Sequence, residues 1–251
     1  MNLAGKVAVV TGAANGLGEA VARRFAAEGA KLVLTDIEVS SLNQVAVDIG
    51  GVALSADMSL EANVQAVAEL AMKTHGRIDL WMSNAGMNGP RQPGNLQDNE
   101  LWDSMWRLHV MSHVYAARAV VPGMVARGDG YLLATSSSIA LATQIEKVAY
   151  AVTKHGLLAL CEWLAATYRP QGVRVSCLCP GSIRTRIFLS NNFPEDSFAM
   201  RSSLSPEQAA EFVVRGIESE EFLILTHAEN AAPLSEKAVD YDHWLEVTSR
   251  P

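Results

Sequence analysis

Two rhythms of apolar residues alternate along the chain. Short, unbroken, mostly β-branched runs at 7–11, 31–35, 52–55, 78–82, 131–135, 173–179 and 222–226 read as strands buried on both faces. The intervening stretches carry apolar residues at helical spacing. Leu17, Ala20, Val21 and Phe25 mark the first helix, and Gly29 closes it. Further helices are expected at 60–74, 100–125, 148–168 and 206–218, with Pro122 disturbing the last turns of the third of these. Regular strand–helix alternation with continuous apolar strands predicts an α/β fold. The expected architecture is three-layered and doubly wound, a mostly parallel seven-stranded sheet with helices on both faces. No linker or repeat interrupts the pattern, so residues 1–251 are expected to form a single domain.

The stretch 148–168 departs from simple amphipathicity. Val152, Leu157, Leu158, Leu160, Trp163 and Leu164 fall on nearly every face of the helix. The sheet can cover only one side, so a partner subunit is the expected second cover, the alternative being a larger core within one chain. The expectation is a homo-oligomer, dimer or tetramer, joined through the helices near 100–125 and 148–168.

Composition narrows the function classes. The net charge of −7 and the lack of a basic cluster argue against nucleic acid and anionic membranes as partners. The three cysteines are spaced for neither a disulfide framework nor a zinc ribbon, which fits a reducing cytoplasm. The N-terminal residues lack a signal-peptide pattern, and no uncharged apolar run reaches the ~18 residues of a membrane span. A soluble cytoplasmic enzyme or small-molecule binder is expected.

Several motifs stand at the C-terminal ends of the predicted strands, where open α/β sheets bind ligands. The first strand runs through Thr11-Gly12-Ala13-Ala14-Asn15-Gly16-Leu17-Gly18 into a helix. Such a turn lets the backbone approach a pyrophosphate and offers it helix N–H groups, although glycine-rich turns also serve plain packing. Asp36 ends the second strand, placed to accept both ribose hydroxyls of an adenosine and to repel a 2′-phosphate. No cation stands at Asn15 or Ile37, which favours NAD over NADP; the alternative is a solvated loop aspartate. Asp57 follows the third strand and Asn84-Ala85-Gly86 the fourth, and either could be an ordinary turn. Tyr150 and Lys154 are four apart and share a helix face. An ammonium near a phenol favours phenolate, which makes the pair an acid–base candidate. Ser136-Ser137-Ser138 ends the fifth strand and could bond a substrate oxygen or simply cap a turn. Pro180-Gly181-Ser182-Ile183-Arg184-Thr185 closes the sixth.

In this joint order the motifs resemble the short-chain dehydrogenase/reductase family, in its branch of about this chain length, from Lys6 to near Thr226. The resemblance implies a Rossmann fold and residue roles. Gly12, Asn15, Gly16, Leu17 and Gly18 would hold a pyrophosphate, Asp36 and Ile37 the adenosine ribose, and Asp57 and Met58 the adenine. Asn84, Ala85 and Gly86 would line the middle of the cofactor. Lys154 would bind the nicotinamide ribose, with Pro180, Gly181, Ile183 and Thr185 near the carboxamide. Tyr150 would be the general acid–base, Ser137 would polarise the reacting oxygen, and Lys154 would tune the tyrosine. His109 stands where the family usually has an asparagine that holds a relay water. Replacing the asparagine in the relay, weakening the relay, and a position altered deliberately are the readings open for it, beside a purely structural histidine. His109 and His113 are four apart, but no further ligand is evident, so no metal is expected.

The family places its variable substrate lid at about 188–204, which here contains Phe188, Phe193 and Phe198. Met87, Leu141, Gln144 and Ser182 are the other expected wall residues. Apolar walls suit a bulky hydrophobic or aromatic secondary alcohol or ketone, although the same residues could merely pack the lid. Three activities are therefore open. One is an NAD-dependent alcohol dehydrogenase or carbonyl reductase. The others are a quinone or enone reductase and a cofactor-binding sensor with little turnover.

Overall fold

The computed structural model describes residues 1–92 and 94–249. Seven strands form one parallel sheet: β1 (Val7–Thr11), β2 (Lys31–Asp36), β3 (Val52–Ser55), β4 (Leu80–Ser83), β5 (Gly130–Thr135), β6 (Val173–Cys179) and β7 (Leu223–Leu225). Their order is β3-β2-β1-β4-β5-β6-β7. The strands run as apolar sequence because successive side chains serve two separate cores. Ala8, Val10, Leu32, Leu34, Leu80, Met82, Tyr131 and Leu133 pack into one core. Their sequence neighbours Val9, Val33, Trp81, Leu132 and Ala134 pack into the other.

Helices cover both faces. The first core is closed by α1 (Gly16–Ala27), α2 (Val39–Ile49) and, as the ninth helix in chain order, α9 (Pro206–Ser219). The second is closed by α3 (Glu61–His75), α5 (Ser112–Arg127) and α6 (Val148–Tyr168). Short α4 (Asn99–Trp106) precedes α5; α7 (Arg186–Leu189) and α8 (Phe198–Arg201) lie in the segment after β6. Two C-terminal helices, α10 (Ala232–Val239) and α11 (Tyr241–Thr248), follow β7. Among the described residues, no helix is long and apolar enough to cross a membrane.

The predicted strands are all present, and the helix expected at 148–168 is α6. Three features differ from the sequence expectation. Helix α2 has no strong start signal; its N-cap position is Glu38, whose side chain makes no capping bond. The helix expected at 100–125 is two helices separated by a π-helical turn, Arg107–Met111. A single wide turn leaves the residue pattern on either side helical, so periodicity alone does not reveal it. Pro122 does not disrupt α5. It lies on the exposed side, and the helix continues to Arg127.

Lys237 ties the C-terminal helices to the body. Lys237 Nζ donates to the carbonyls of Leu141 and Ala142, each at 3.0 Å, and lies 4.4 Å from the ring centroid of Trp244. At the other end of the sheet, the buried Tyr131 hydroxyl bonds Ser176 Oγ at 2.6 Å, and Ser176 donates to the Glu221 carbonyl. Burial pushes the Tyr131 phenol up to about 12, so it stays a neutral donor. Tyr131→Phe should cost about 1 kcal/mol of folding stability, because Ser176 keeps its bond to Glu221 and loses only a donor. Urea denaturation of the two proteins, at equal m-value, measures this.

Candidate active site

The strand order reverses between β1 and β4, and a cleft of about 930 Å³ opens at the C-terminal ends of the strands. At one end lies the glycine turn. Gly12 and Gly16 have φ of +64° and +58°, where a side chain would be strained. A Cβ on Gly18 would sit 2.0 Å from the Gly12 carbonyl oxygen, so no other residue fits there. Helix α1 begins at Gly16, and the N-cap Asn15 makes no side-chain capping bond. The first N–H groups of α1 are thus not taken by the cap, which suits a phosphate.

Asp36 is held on both oxygens. Ala14 N–H donates to Oδ2 and Glu38 N–H to Oδ1, each at 3.0 Å. The neighbouring Ile37 is largely exposed on the cleft wall, with Asp57 and Met58 beside it. Thr11 fixes the next strand end. Its hydroxyl accepts from the N–H groups of Asn84 and Ala85 at 2.9 Å, and Asn84 Nδ2 donates to the Thr11 carbonyl at 3.0 Å. Asn84, Ala85, Gly86, Pro180, Gly181, Ile183 and Thr185 continue the wall. A turn with glycine at its three closest approaches, an uncapped helix start and a fixed carboxylate fit the pyrophosphate and adenosine ribose of a dinucleotide.

Ser137, Tyr150 and Lys154 meet at the far end of the cleft. Ser137 follows β5 and Tyr150 opens α6. Lys154 Nζ lies 5.6 Å from the Tyr150 ring centroid and donates to the Thr135 carbonyl at 2.9 Å. Burial pushes the Tyr150 phenol above its ordinary value, while a hydrogen bond with Ser137 pulls the other way. Burial also lowers Lys154 to about 8. The expected lowering of the phenol by Lys154 is therefore not the dominant effect in this arrangement. Desolvation disfavours the charged form of both groups.

His109 stands directly behind Tyr150, fully buried in the π-helical turn, with the two rings edge-to-face at 5.5 Å. Its Nε2 accepts from the Met87 N–H at 3.1 Å, which assigns the ring proton to Nδ1. Nδ1–H donates to Thr153 Oγ1 at 3.0 Å, and Thr153 donates to the Tyr150 carbonyl at 3.0 Å. Both nitrogens are engaged by the protein, which leaves none for a relay water. Burial and the Lys154 charge hold His109 well below its ordinary value. This histidine links the turn after β4 to the start of α6.

Most expected wall residues line the cleft: Met87, Gln144, Ser182, Phe188, Phe193 and Phe198. Leu141 is the correction. Its side chain is 1% exposed and packs in the second core, while its carbonyl faces Lys237. The apolar lid residues also pack on one another, Phe188 and Phe193 at 5.3 Å between ring centroids. Sequence reasoning missed Asn88, Lys147, Asn191, His227 and Asn230, all on the cleft wall. Of these, Lys147 alone has a nearby signal in the sequence, lying three residues before Tyr150. The others come from segments whose path the sequence pattern does not give.

The comparisons agree with this geometry. The sequence profile described as short chain dehydrogenase matches residues 6–195, and the chain belongs to this family of oxidoreductases. It is 33% identical over 258 residues to 1-deoxy-11-beta-hydroxypentalenate dehydrogenase of Streptomyces exfoliatus, covering 100% of this chain and 93% of that protein. A solved short chain dehydrogenase/reductase from Burkholderia phymatum, in complex with NAD, superposes with a TM-score of 0.87 at 27% identity over 97% of this chain and 96% of that one. L-sorbose reductase from Gluconobacter frateurii, complexed with NADPH and L-sorbose, gives a TM-score of 0.79 at 30% identity over 90% and 95%.

One buried group beside the site makes the fold sensitive to acid. His113 in α5 bonds Ser112 Oγ through Nδ1 at 3.1 Å, and the Ser83 backbone near the ring partly favours its protonated form. Burial, with Lys154 adding like charge, lowers it to about 3. Between that value and the ordinary 6.5, the unfolded chain binds a proton that the folded chain does not. Stability therefore falls as pH falls through this window. Taking the protein from pH 7 to pH 5 should cost about 2 kcal/mol through His113. His113→Phe should lose that much less over the same interval, whatever its stability at pH 7, as read from urea midpoints at the two pH values.

Proposed function

We propose that the protein is an NAD-dependent oxidoreductase that interconverts a secondary alcohol and a ketone. The observation that carries this reading is the convergence of Ser137, Tyr150 and Lys154 on one end of a cleft whose other end is marked by Asp36. The bound nicotinamide supplies the hydride chemistry. Tyr150 exchanges the proton at the reacting oxygen and Ser137 holds that oxygen in line with it. Lys154 carries positive charge next to the phenol, offsetting the charge that develops as the proton leaves. His109 and Thr153 act on position only, keeping the first turn of α6 against the turn after β4. The lid aromatics Phe188, Phe193 and Phe198 support a bulky apolar substrate body and exclude water from the transfer.

The proposed cofactor preference rests on Asp36. With both oxygens already held by backbone N–H groups, the carboxylate cannot turn away from a 2′-phosphate. The Arg186 guanidinium across the cleft is paired with Glu38, at 3.0 Å to each carboxylate oxygen. Asp36→Ala should therefore lower kcat/KM with NAD by about 10- to 100-fold and raise it with NADP, so that the preference narrows or inverts. An unchanged NAD:NADP ratio would reject the assignment.

The outer side of α6 supports a homo-oligomer. Trp163 is 58% exposed and Val152 44% exposed in the single chain, and Trp106 at the end of α4 is 42% exposed. The proposed chemistry is tested by Tyr150→Phe with aryl ketones and NADH. Turnover should fall by at least about a thousandfold, while the NADH dissociation constant changes by less than about threefold.

A further inference from the structure

Lys147 is the feature of the cleft that the proposed chemistry does not use. It is 4% exposed and occupies the N-cap position of α6, three residues before Tyr150 on the same cleft wall. Its Nζ donates to Asn88 Oδ1 at 2.5 Å and to Asn191 Oδ1 at 2.6 Å. Both amides are oriented by further bonds. Asn88 Nδ2 donates to Asn191 Oδ1 at 3.2 Å and to the Ile187 carbonyl at 3.3 Å. Asn191 Nδ2 donates to the carbonyls of Ile187 at 3.1 Å and Phe188 at 3.0 Å. The two oxygens are thus turned onto the ammonium by design of the local network, not by the ammonium alone.

No carboxylate lies within ion-pair distance of Lys147 among the described residues. The nearest candidate by sequence, Glu146, is paired with Arg91. Burial and the neighbouring Arg91 lower Lys147 to about 8. A desolvated cation held by two neutral oxygens, with a third N–H still to donate, has no carboxylate in contact with it; Glu146 acts on it only from a distance and is itself spent on Arg91. Helices favour negative charge at their first turn, and this is the first turn of the longest helix.

We propose that the substrate carries a carboxylate and that Lys147, framed by Asn88 and Asn191, binds it. This rests on the reading of the site as a carbonyl–alcohol oxidoreductase and names its substrate class: a hydroxy acid and the corresponding keto acid, with an apolar body between the two oxygen functions. Lys147 fixes the acid end, Tyr150 and Ser137 meet the reacting oxygen, and the lid aromatics cover the body. In the reducing direction, the keto acid takes a hydride from NADH at the carbonyl carbon and a proton at its oxygen, giving the hydroxy acid and NAD. The carboxylate is unchanged. Asn191 belongs to the segment between α7 and α8, so an occupied Lys147 also holds that segment over the cleft.

The test compares acids with their methyl esters. The probes are 3-acetylbenzoate, 4-acetylbenzoate and 3-oxocyclohexane-1-carboxylate with the corresponding esters. They are assayed for turnover with NADH and for binding to the NADH complex by calorimetry. The wild type should favour at least one acid over its ester by about tenfold or more, through KM and the dissociation constant. Lys147→Met should remove that preference, and Lys147→Arg should retain most of it. A lysine that serves only to latch the lid would give Met and Arg variants in which acid and ester change together, and that result overturns the proposal. So does a wild type that binds no acid better than its ester. Acid-selective binding that needs Lys147, without turnover of any probe, would support the carboxylate site and reject the oxidoreductase reading.

Discussion

Burying both faces of one parallel sheet is the constraint on which the rest of this molecule depends. Every strand must offer apolar side chains alternately to two cores, so the strand interiors carry no chemistry. Polar function is confined to where each strand stops. Thr11, Asp36, Ser83, Thr135 and Cys179 are the last residues of their strands, and the cleft begins with them or immediately after them. The reversal of strand order between β1 and β4 separates the helices there and gives that cleft its depth.

The electrostatics of the cleft follow from the same burial. Two ammonium groups, Lys147 and Lys154, are taken out of water on one wall, and the groups that bond them are amide and carbonyl oxygens, with no carboxylate in direct contact among the described residues. Asp36, Glu38 and Asp57 line the opposite end of the cleft, and each Asp36 oxygen is oriented by one backbone donor. A ligand that spans the cleft therefore meets a carboxylate acceptor for sugar hydroxyls at one end and buried positive charge at the other. The two histidines behind Lys154 stay neutral for the same reason that Lys154 is weakened, so they add no competing cation.

How much was readable in the sequence divides along physical lines. Strands and the long helices were legible because burial writes a period into them, and the strand-end motifs were legible because their spacing survives as a string. Position within a cavity is another matter. Leu141 and Gln144 are three residues apart and both apt for a wall, yet one is in the core and the other lines the cleft. His109 aligned with a relay position, but a π-helical turn and two protein partners decide what its nitrogens do, and neither leaves a mark in the sequence. Lys147 looks like an ordinary surface lysine until the segments carrying Asn88 and Asn191 are folded over it.

The grip of Lys237 on the carbonyls of Leu141 and Ala142 also orders events during synthesis. Lys237 lies 96 residues beyond Leu141, so it leaves the ribosome long after the strands that flank the glycine turn. Helix α9, which closes the first core behind the glycine turn, is complete at Ser219, before Lys237 is made. The loop after β5 is therefore secured from the far end of the chain, and its two carbonyls gain their partner after the strands of the sheet have all been synthesised.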